Sequence, residues 1–207
     1  MKSELCNCKR CGTEVLSRFG EYVFCEKCCD EIKKNNMKDK VILDAKDIKN
    51  KIILDACCGG RMFWFDKNHP NTLYVDKRIC EKGHYKEKPN HCVKPDIVMD
   101  FRDLQFEDEK FNLVVFDPPH LFLGETSKFA KDFGRLNGTD WKVDIKKGFA
   151  ECFRVLKPLG ILVFKWNEFD IPVKEILKLT SEKPLFGHIS GKRSGTHWIC
   201  FMKFSPQ

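Results

Sequence analysis

Asp117-Pro118-Pro119-His120 directly follows the apolar run Leu113-Val114-Val115-Phe116. Proline has no N–H to give to a sheet ladder, so a strand through this run has to end here. Two successive prolines stiffen its exit and hold the Asp117 carboxylate and the Pro118 carbonyl as neighbouring hydrogen-bond acceptors. Such a pair suits a planar exocyclic amine acting as a nucleophile. The amine's lone pair is delocalised into its ring, and two hydrogen bonds from its N–H groups draw the nitrogen toward a tetrahedral shape. Asp-Pro is also a common turn opener, so the chemistry depends on what else reaches this strand end.

Three other strand-like runs end in aspartate. Lys51-Ile52-Ile53-Leu54 leads to Asp55, Thr72-Leu73-Tyr74-Val75 to Asp76, and Ile97-Val98-Met99 to Asp100. The first is followed by Ala56-Cys57-Cys58-Gly59-Gly60, small residues that let a backbone approach a ligand closely. Asp76 lies 21 positions beyond Asp55, the spacing at which an acidic residue after a Gly-rich turn meets ribose hydroxyls. Alternating strand and helix patterns predict an α/β fold, and in parallel sheets of that class ligands gather at the carboxyl ends of strands.

A second constellation is metal-like. Cys8-x2-Cys11 and Cys25-x2-Cys28 are two knuckles with the spacing of a tetrahedral four-cysteine zinc site, and Gly12 follows the first pair. Phe19, Tyr22, Val23 and Phe24 supply the small apolar cover of a zinc ribbon. Cys6 and Cys29 leave the register of the ligands open by a residue or two. Cys80, His84, His91 and Cys92 have irregular spacing in a basic stretch and read as a solvated loop, with a second zinc site as the alternative. Cys152 and Cys200 fall in apolar runs and read as core.

Together, LDACCGG, LYVDKR, IVMDFRDLQF and FNLVVFDPPH resemble, in order, the cofactor and catalytic motifs of class I S-adenosylmethionine-dependent methyltransferases. The resemblance is to those that modify amino groups of nucleic-acid bases. FRVLKPLGILVFKWNE is similar to the helix and fifth strand that follow in that family, and the compact whole looks like a phage or prophage member. The resemblance covers roughly residues 50–204. It implies a Rossmann-like, seven-stranded, mostly parallel sheet flanked by helices, beside the small N-terminal zinc ribbon.

By the same resemblance, Asp55 and the turn Ala56, Cys57 and Gly59 would hold the methionine part of S-adenosylmethionine. Asp76 would take its ribose and Asp100 its adenine amine, with Phe101 nearby. Asp117, Pro118, Pro119 and His120 would form the catalytic motif. Two departures stand out. Cys57-Cys58 replaces part of the usual glycine pattern, and His120 occupies a position usually held by a large aromatic that stacks on the target base.

The domains expected are a zinc ribbon over 1–30, a lysine-rich linker or helix over 31–50, and the methyltransferase domain over 51–207. A chain of 207 residues can bury about 70% of its unfolded surface in one such domain. The absence of a long apolar run or signal-peptide core predicts no membrane association and a cytoplasmic protein, in the host cytoplasm if phage-encoded. The 12 cysteines are then thiols or metal ligands rather than disulfides. A formal charge of +7 favours a polyanionic partner. The partner expected is nucleic acid, DNA ahead of RNA.

Between 121 and 145, Phe122, Phe129, Phe133 and Trp141 alternate with Lys128, Lys131, Arg135 and Lys142, a composition suited to a substrate lid that stacks on bases and follows phosphates. A basic hairpin with Lys192 and Arg193 is predicted between the last two strands. The leading expectation is methyl transfer to adenine N6, with cytosine N4 next. A nucleic-acid-binding zinc module with a non-catalytic cofactor pocket, or a small-molecule or protein N-methyltransferase, are the alternatives. No separate target-recognition domain is evident.

Overall fold

A computed structural model describes residues 4–7, 14–17, 48, 50–83, 89–124, 127, 130, 133–136, 138–190 and 195–204. The chain divides into two compact units, Met1–Ile42 and Leu43–Gln207. In the first, β1 (Glu4–Asn7) and β2 (Glu14–Ser17) pair antiparallel, with Leu5 opposite Leu16 and Cys6 opposite Val15. Cys8 and Cys11 fall in the connection between these strands; with Cys25 and Cys28 they lie outside the described residues.

The second unit holds β3 (Ile53–Asp55), β4 (Thr72–Asp76), β5 (Ile97–Val98), β6 (Phe111–Phe116), β7 (Leu156–Asn167), β8 (Phe186–Ser190) and β9 (Thr196–Met202). They form one seven-stranded sheet in the order β5-β4-β3-β6-β7-β9-β8. The pairs from β5 through β7 are parallel, and β9 runs antiparallel to both β7 and β8. The central strands are continuous apolar runs because both faces are covered: Leu54, Leu73, Val75, Val114, Phe116, Leu162 and Phe164 are all buried.

Helix α1 (Trp141–Val155) covers one face. Its buried residues Ile145, Gly148, Phe149, Cys152 and Phe153 recur at helical spacing, and Asp144 and Arg154 stand at the ends where the helix dipole favours their charges. Phe149 meets Phe164 at a ring separation of 4.8 Å and Phe116 at 5.6 Å. Pro158 bars the helix from continuing, and the chain passes straight into β7.

The glycine of this helix sets how closely it can approach. A Cβ at Gly148 would stand 2.5 Å from Phe116 Cζ and 2.8 Å from Phe101 Cδ2. Gly148→Ala is therefore expected to destabilise the fold by about 1–3 kcal/mol, against alanine's better helix propensity. Urea unfolding measures this, and a stabilised variant would contradict the packing.

The opposite face departs from a sheet flanked throughout by helices. The connection from β3 to β4 contains turns and no helix. It is held instead by aromatic packing: Trp64 stands edge-on to Tyr74 at 5.2 Å, and the Arg61 guanidinium lies 3.7 Å from the Tyr74 ring centre. Arg61 also donates to Lys67 O and to Asp96 Oδ1. Paired glycines at one end and His69-Pro70 at the other leave too short a stretch for a long helix, and Arg61 has a left-handed φ of 53°. A second helix, α2 (Val173–Leu177), is a single short segment after β7. Among the described residues no helix is long and apolar enough to cross a membrane.

Candidate active site

The strand order reverses between β3 and β6, since the chain moves from β3 outward to β4 and β5 and then returns to β6 on β3's other side. Beyond the carboxyl ends of two such strands a crevice must open. A cavity of about 300 Å³ lies there, lined by Cys57, Gly59, Gly60, Asp117, His120 and Lys165 among others.

The turn after β3 is pinned to both neighbouring strands. Ala56 N–H donates to Val115 O (3.0 Å) and Cys58 N–H to Val75 O (2.8 Å). Gly59, at φ 47°, turns its N–H onto Asp76 Oδ2 at 2.9 Å. At Gly60 a Cβ would stand 3.1 Å from the His91 ring, which would have to give by a few tenths of an ångström to admit it.

Asp55 is wholly buried beneath this turn. Its Oδ2 accepts from Trp64 Nε1 (2.7 Å) and its Oδ1 from Cys57 N–H (3.3 Å). Burial pushes the carboxyl up to about 7, with the nearby Asp117 and Asp76 charges adding to the effect and the Trp64 bond opposing it. Asp55 itself does not line the cavity.

Asp76 and Asp100 share a device visible as Asp-x-Arg in the sequence. Arg78 grips Asp76 with Nε and an Nη (2.9 and 3.0 Å), and Arg102 grips Asp100 in the same way (2.9 and 2.6 Å). In each case the arginine's own backbone N–H also donates to the carboxylate, at 3.0 Å. Burial works against ionisation of Asp100, but the Arg102 hydrogen bonds outweigh it and hold the carboxyl below its usual range. Arg78 faces the cavity, whereas Asp76, Asp100 and Phe101 do not line it. Phe101 is core, packed on Phe116 at 5.3 Å.

At the end of β6, the motif residues line the cavity as a group. Asp117 Oδ2 accepts from Lys165 Nζ at 2.6 Å, while Asp117 Oδ1 is buried and has no hydrogen-bond partner among the described residues. His120 Nδ1 lies 3.3 Å from Pro118 O, a hydrogen bond when that nitrogen carries the proton. Burial lowers the pKa of His120, favouring neutral imidazole at pH 7, and the ring stands edge-on to Trp166 at 6.0 Å. Phe133 and Gly134 close over the motif, and a Cβ at Gly134 would stand 2.7 Å from Pro119 Cγ. Leu136 N–H donates to Leu121 O (2.9 Å), joining the two ends of this crossing.

The structure thus gathers Cys57, Gly59, Asp117, Pro118, Pro119 and His120 around one cavity, with Ala56 and Asp55 directly behind the turn. Lys128, Phe129, Lys131, Lys192, Arg193 and His84 lie outside the described residues. Cys80 and Val93 form a bridge, and among the described residues no three His, Cys, Asp or Glu side chains assemble as a metal site. Cys152 is buried and Cys200 half-buried. Lys165, Arg78 and Trp64 join the site without having been singled out from the sequence. For Lys165 a signal existed, as the one charge within the apolar run Ile161–Trp166.

No model of a known protein family matches this chain, and no curated protein does. Solved structures with a similar chain path include a Pyrococcus horikoshii protein, 16% identical, with 86% of this chain and 92% of that one covered and a TM-score of 0.49. A SAM-dependent methyltransferase of Methanosarcina mazei is 14% identical, with 84% and 97% covered and a TM-score of 0.46. A TehB-like SAM-dependent methyltransferase of Corynebacterium glutamicum is 16% identical, with 86% and 97% covered and a TM-score of 0.45. At such values these likenesses decide nothing about activity, which rests on the site's own side chains.

Proposed function

We propose that the chain is an S-adenosylmethionine-dependent methyltransferase acting on an exocyclic amine of a nucleic-acid base, adenine N6 ahead of cytosine N4. One observation carries this reading: Asp117 lines a cavity that begins at a Gly-rich turn, and its buried Oδ1 has no hydrogen-bond partner among the described residues. Buried polar atoms are almost always satisfied, so this oxygen is matched to a donor from outside the protein.

The donor set fits the cofactor in part. The backbone N–H groups of Ala56, Cys57, Cys58 and Gly59 are taken up within the protein, and Asp55 lies behind the turn, so an ammonium and a carboxylate could be held here only after the turn shifts. Asp76 suits a ribose once Arg78 yields an oxygen, since both are engaged. S-adenosylmethionine supplies a methyl group already activated by its positive sulfur, so the protein's task is chiefly to position the acceptor. Asp117 Oδ1 and Pro118 O accept the amine's hydrogens and direct its lone pair into the cavity. Neutral His120 forms a wall of the base pocket, where it can pack on a ring without adding charge. In a duplex, the target base has to be flipped out to reach this depth.

Nucleic acid as partner is supported by the formal charge of +7. Mass spectrometry of nucleosides from cells expressing the wild type or Asp117→Ala tests the reading. It expects N6-methyladenine or N4-methylcytosine with the wild type alone, and equal nucleoside profiles would refute it.

The N-terminal unit belongs to the same proposal as a zinc ribbon with four cysteine ligands. In the sequence Cys8 and Cys11 fall between β1 and β2 with the spacing of a zinc knuckle, and so small a unit would gain most of its folding free energy from metal. Freshly purified, reduced protein is expected to carry one zinc per chain, lost in Cys8→Ser and Cys25→Ser. Elemental analysis finding no metal would remove the ribbon from the account.

A further inference from the structure

We infer that Lys165 is a specificity-determining residue that reads the ring nitrogen beside the target amine, so that the site accepts only an amino group flanked by a ring-nitrogen acceptor. This rests on the proposed base methylation and deepens it.

Lys165 is held in place from three sides. It lies on β7 opposite Trp198 of β9. Its Nζ is 5.6 Å from the Phe63 ring centre, 5.7 Å from that of Trp198, and 2.6 Å from Asp117 Oδ2. The two rings meet edge to face at 5.3 Å. An ammonium fixed between aromatic faces and a carboxylate is preorganised, and its side chain is only 23% exposed.

An ammonium has three N–H donors. Among the described residues Lys165 Nζ reaches a single acceptor, Asp117 Oδ2, and Lys165 lines the cavity. Donor capacity therefore remains beside the unpartnered acceptor Asp117 Oδ1. The site presents acceptor and donor side by side, the pattern with which an amide side chain reads the amino group and ring nitrogen of adenine. Adenine N6 with N7 or N1, and cytosine N4 with N3, complement it. A carbonyl edge, as in uracil or at guanine O6, would set oxygen against the Asp117 carboxylate.

The test uses the whole protein and single-stranded DNA with randomised flanks, in four pools. Two carry adenine or cytosine, and the others carry 1-deazaadenine or 7-deazaadenine in place of adenine, with 3-deazacytosine serving if cytosine proves the substrate. The inference expects kcat/KM for at least one deaza pool to be about 10- to 100-fold below its parent base. It expects that gap to close in Lys165→Met and to persist, reduced, in Lys165→Arg. Because the main comparison is made on unaltered protein, a variant that folds poorly does not spoil it. Parent and deaza bases methylated at equal rates by the wild type would overturn the role of Lys165 while leaving base methylation standing. A deaza gap that Lys165→Met leaves intact would overturn it equally. Methylation of no base in any pool would overturn the base reading itself, and the inference with it.

Discussion

Asp117→Ala is expected to lower methyl transfer by at least about 1000-fold while leaving cofactor affinity within a few-fold. The loss has two sources. The incoming amine loses the acceptor that orients its lone pair, and the Lys165 ammonium, 2.6 Å from the carboxylate in the intact protein, is left unpaired beside it, where its N–H groups would point at those of the amine. Asp117→Asn should be no milder. Its amide oxygen would turn to Lys165 and its NH2 to the substrate, donor against donor. Adding Lys165→Met to Asp117→Asn removes that bias and should recover part of the rate. Single-turnover rates and calorimetry of cofactor binding measure both effects, and an Asp117→Asn protein near wild-type rate would dismiss the arrangement.

Cofactor affinity is expected to rise with pH up to neutrality, by as much as about tenfold per pH unit below 7, and then to level off. The cause is Asp55, which burial pushes up to about 7 from an ordinary 3.8. Between these values the unfolded chain has released the proton and the folded protein still holds it. Stability therefore falls as pH rises through that window, and above it the ionised carboxyl costs the fold on the order of 4 kcal/mol. An ammonium delivered by the cofactor offsets that cost only when Asp55 is ionised, so binding at acid pH must expel a proton.

Calorimetry in buffers of different ionisation enthalpy should find nearly one proton released per cofactor at pH 6 and almost none at pH 8. Asp55→Asn, which cannot ionise, should bind at least about tenfold more weakly at pH 8 with a flat pH profile. The same variant should also lose the decline of stability between pH 5 and 8. An affinity independent of pH in the wild type would show that Asp55 does not meet the cofactor.

The strand ends were legible because their chemistry is local. Asp55, Asp76 and Asp117 each close an apolar run, and a run buried on both faces looks the same in sequence as it does in the sheet. The helix before β7 was expected from the resemblance of FRVLKPLGILVFKWNE, and its buried residues do recur at helical spacing. The helix-free connection after β3 was not, because Met62-Phe63-Trp64-Phe65 carries no period that separates a helix from turns packed on Tyr74 and Trp198.

The roles of Lys165 and Arg78 are not legible in sequence for a different reason. Each acquires its role from a partner set by folding: Lys165 from the pairing of β7 with β6 and β9, and Arg78 from the turn that folds it back on Asp76. The Asp-x-Arg repeat at 76–78 and 100–102 was present in the sequence, yet only the hydrogen bonds reveal that each arginine occupies the acid preceding it.

The central claim is that Asp117 presents an exocyclic base amine for methylation. Its most direct test is incubation of the protein with methyl-labelled S-adenosylmethionine and randomised single-stranded DNA, followed by digestion and identification of the labelled nucleoside. The account predicts label in N6-methyladenine, or in N4-methylcytosine, with the wild type and none with Asp117→Ala. Label on a ring carbon or ring nitrogen, or transfer that survives the loss of Asp117, would contradict it.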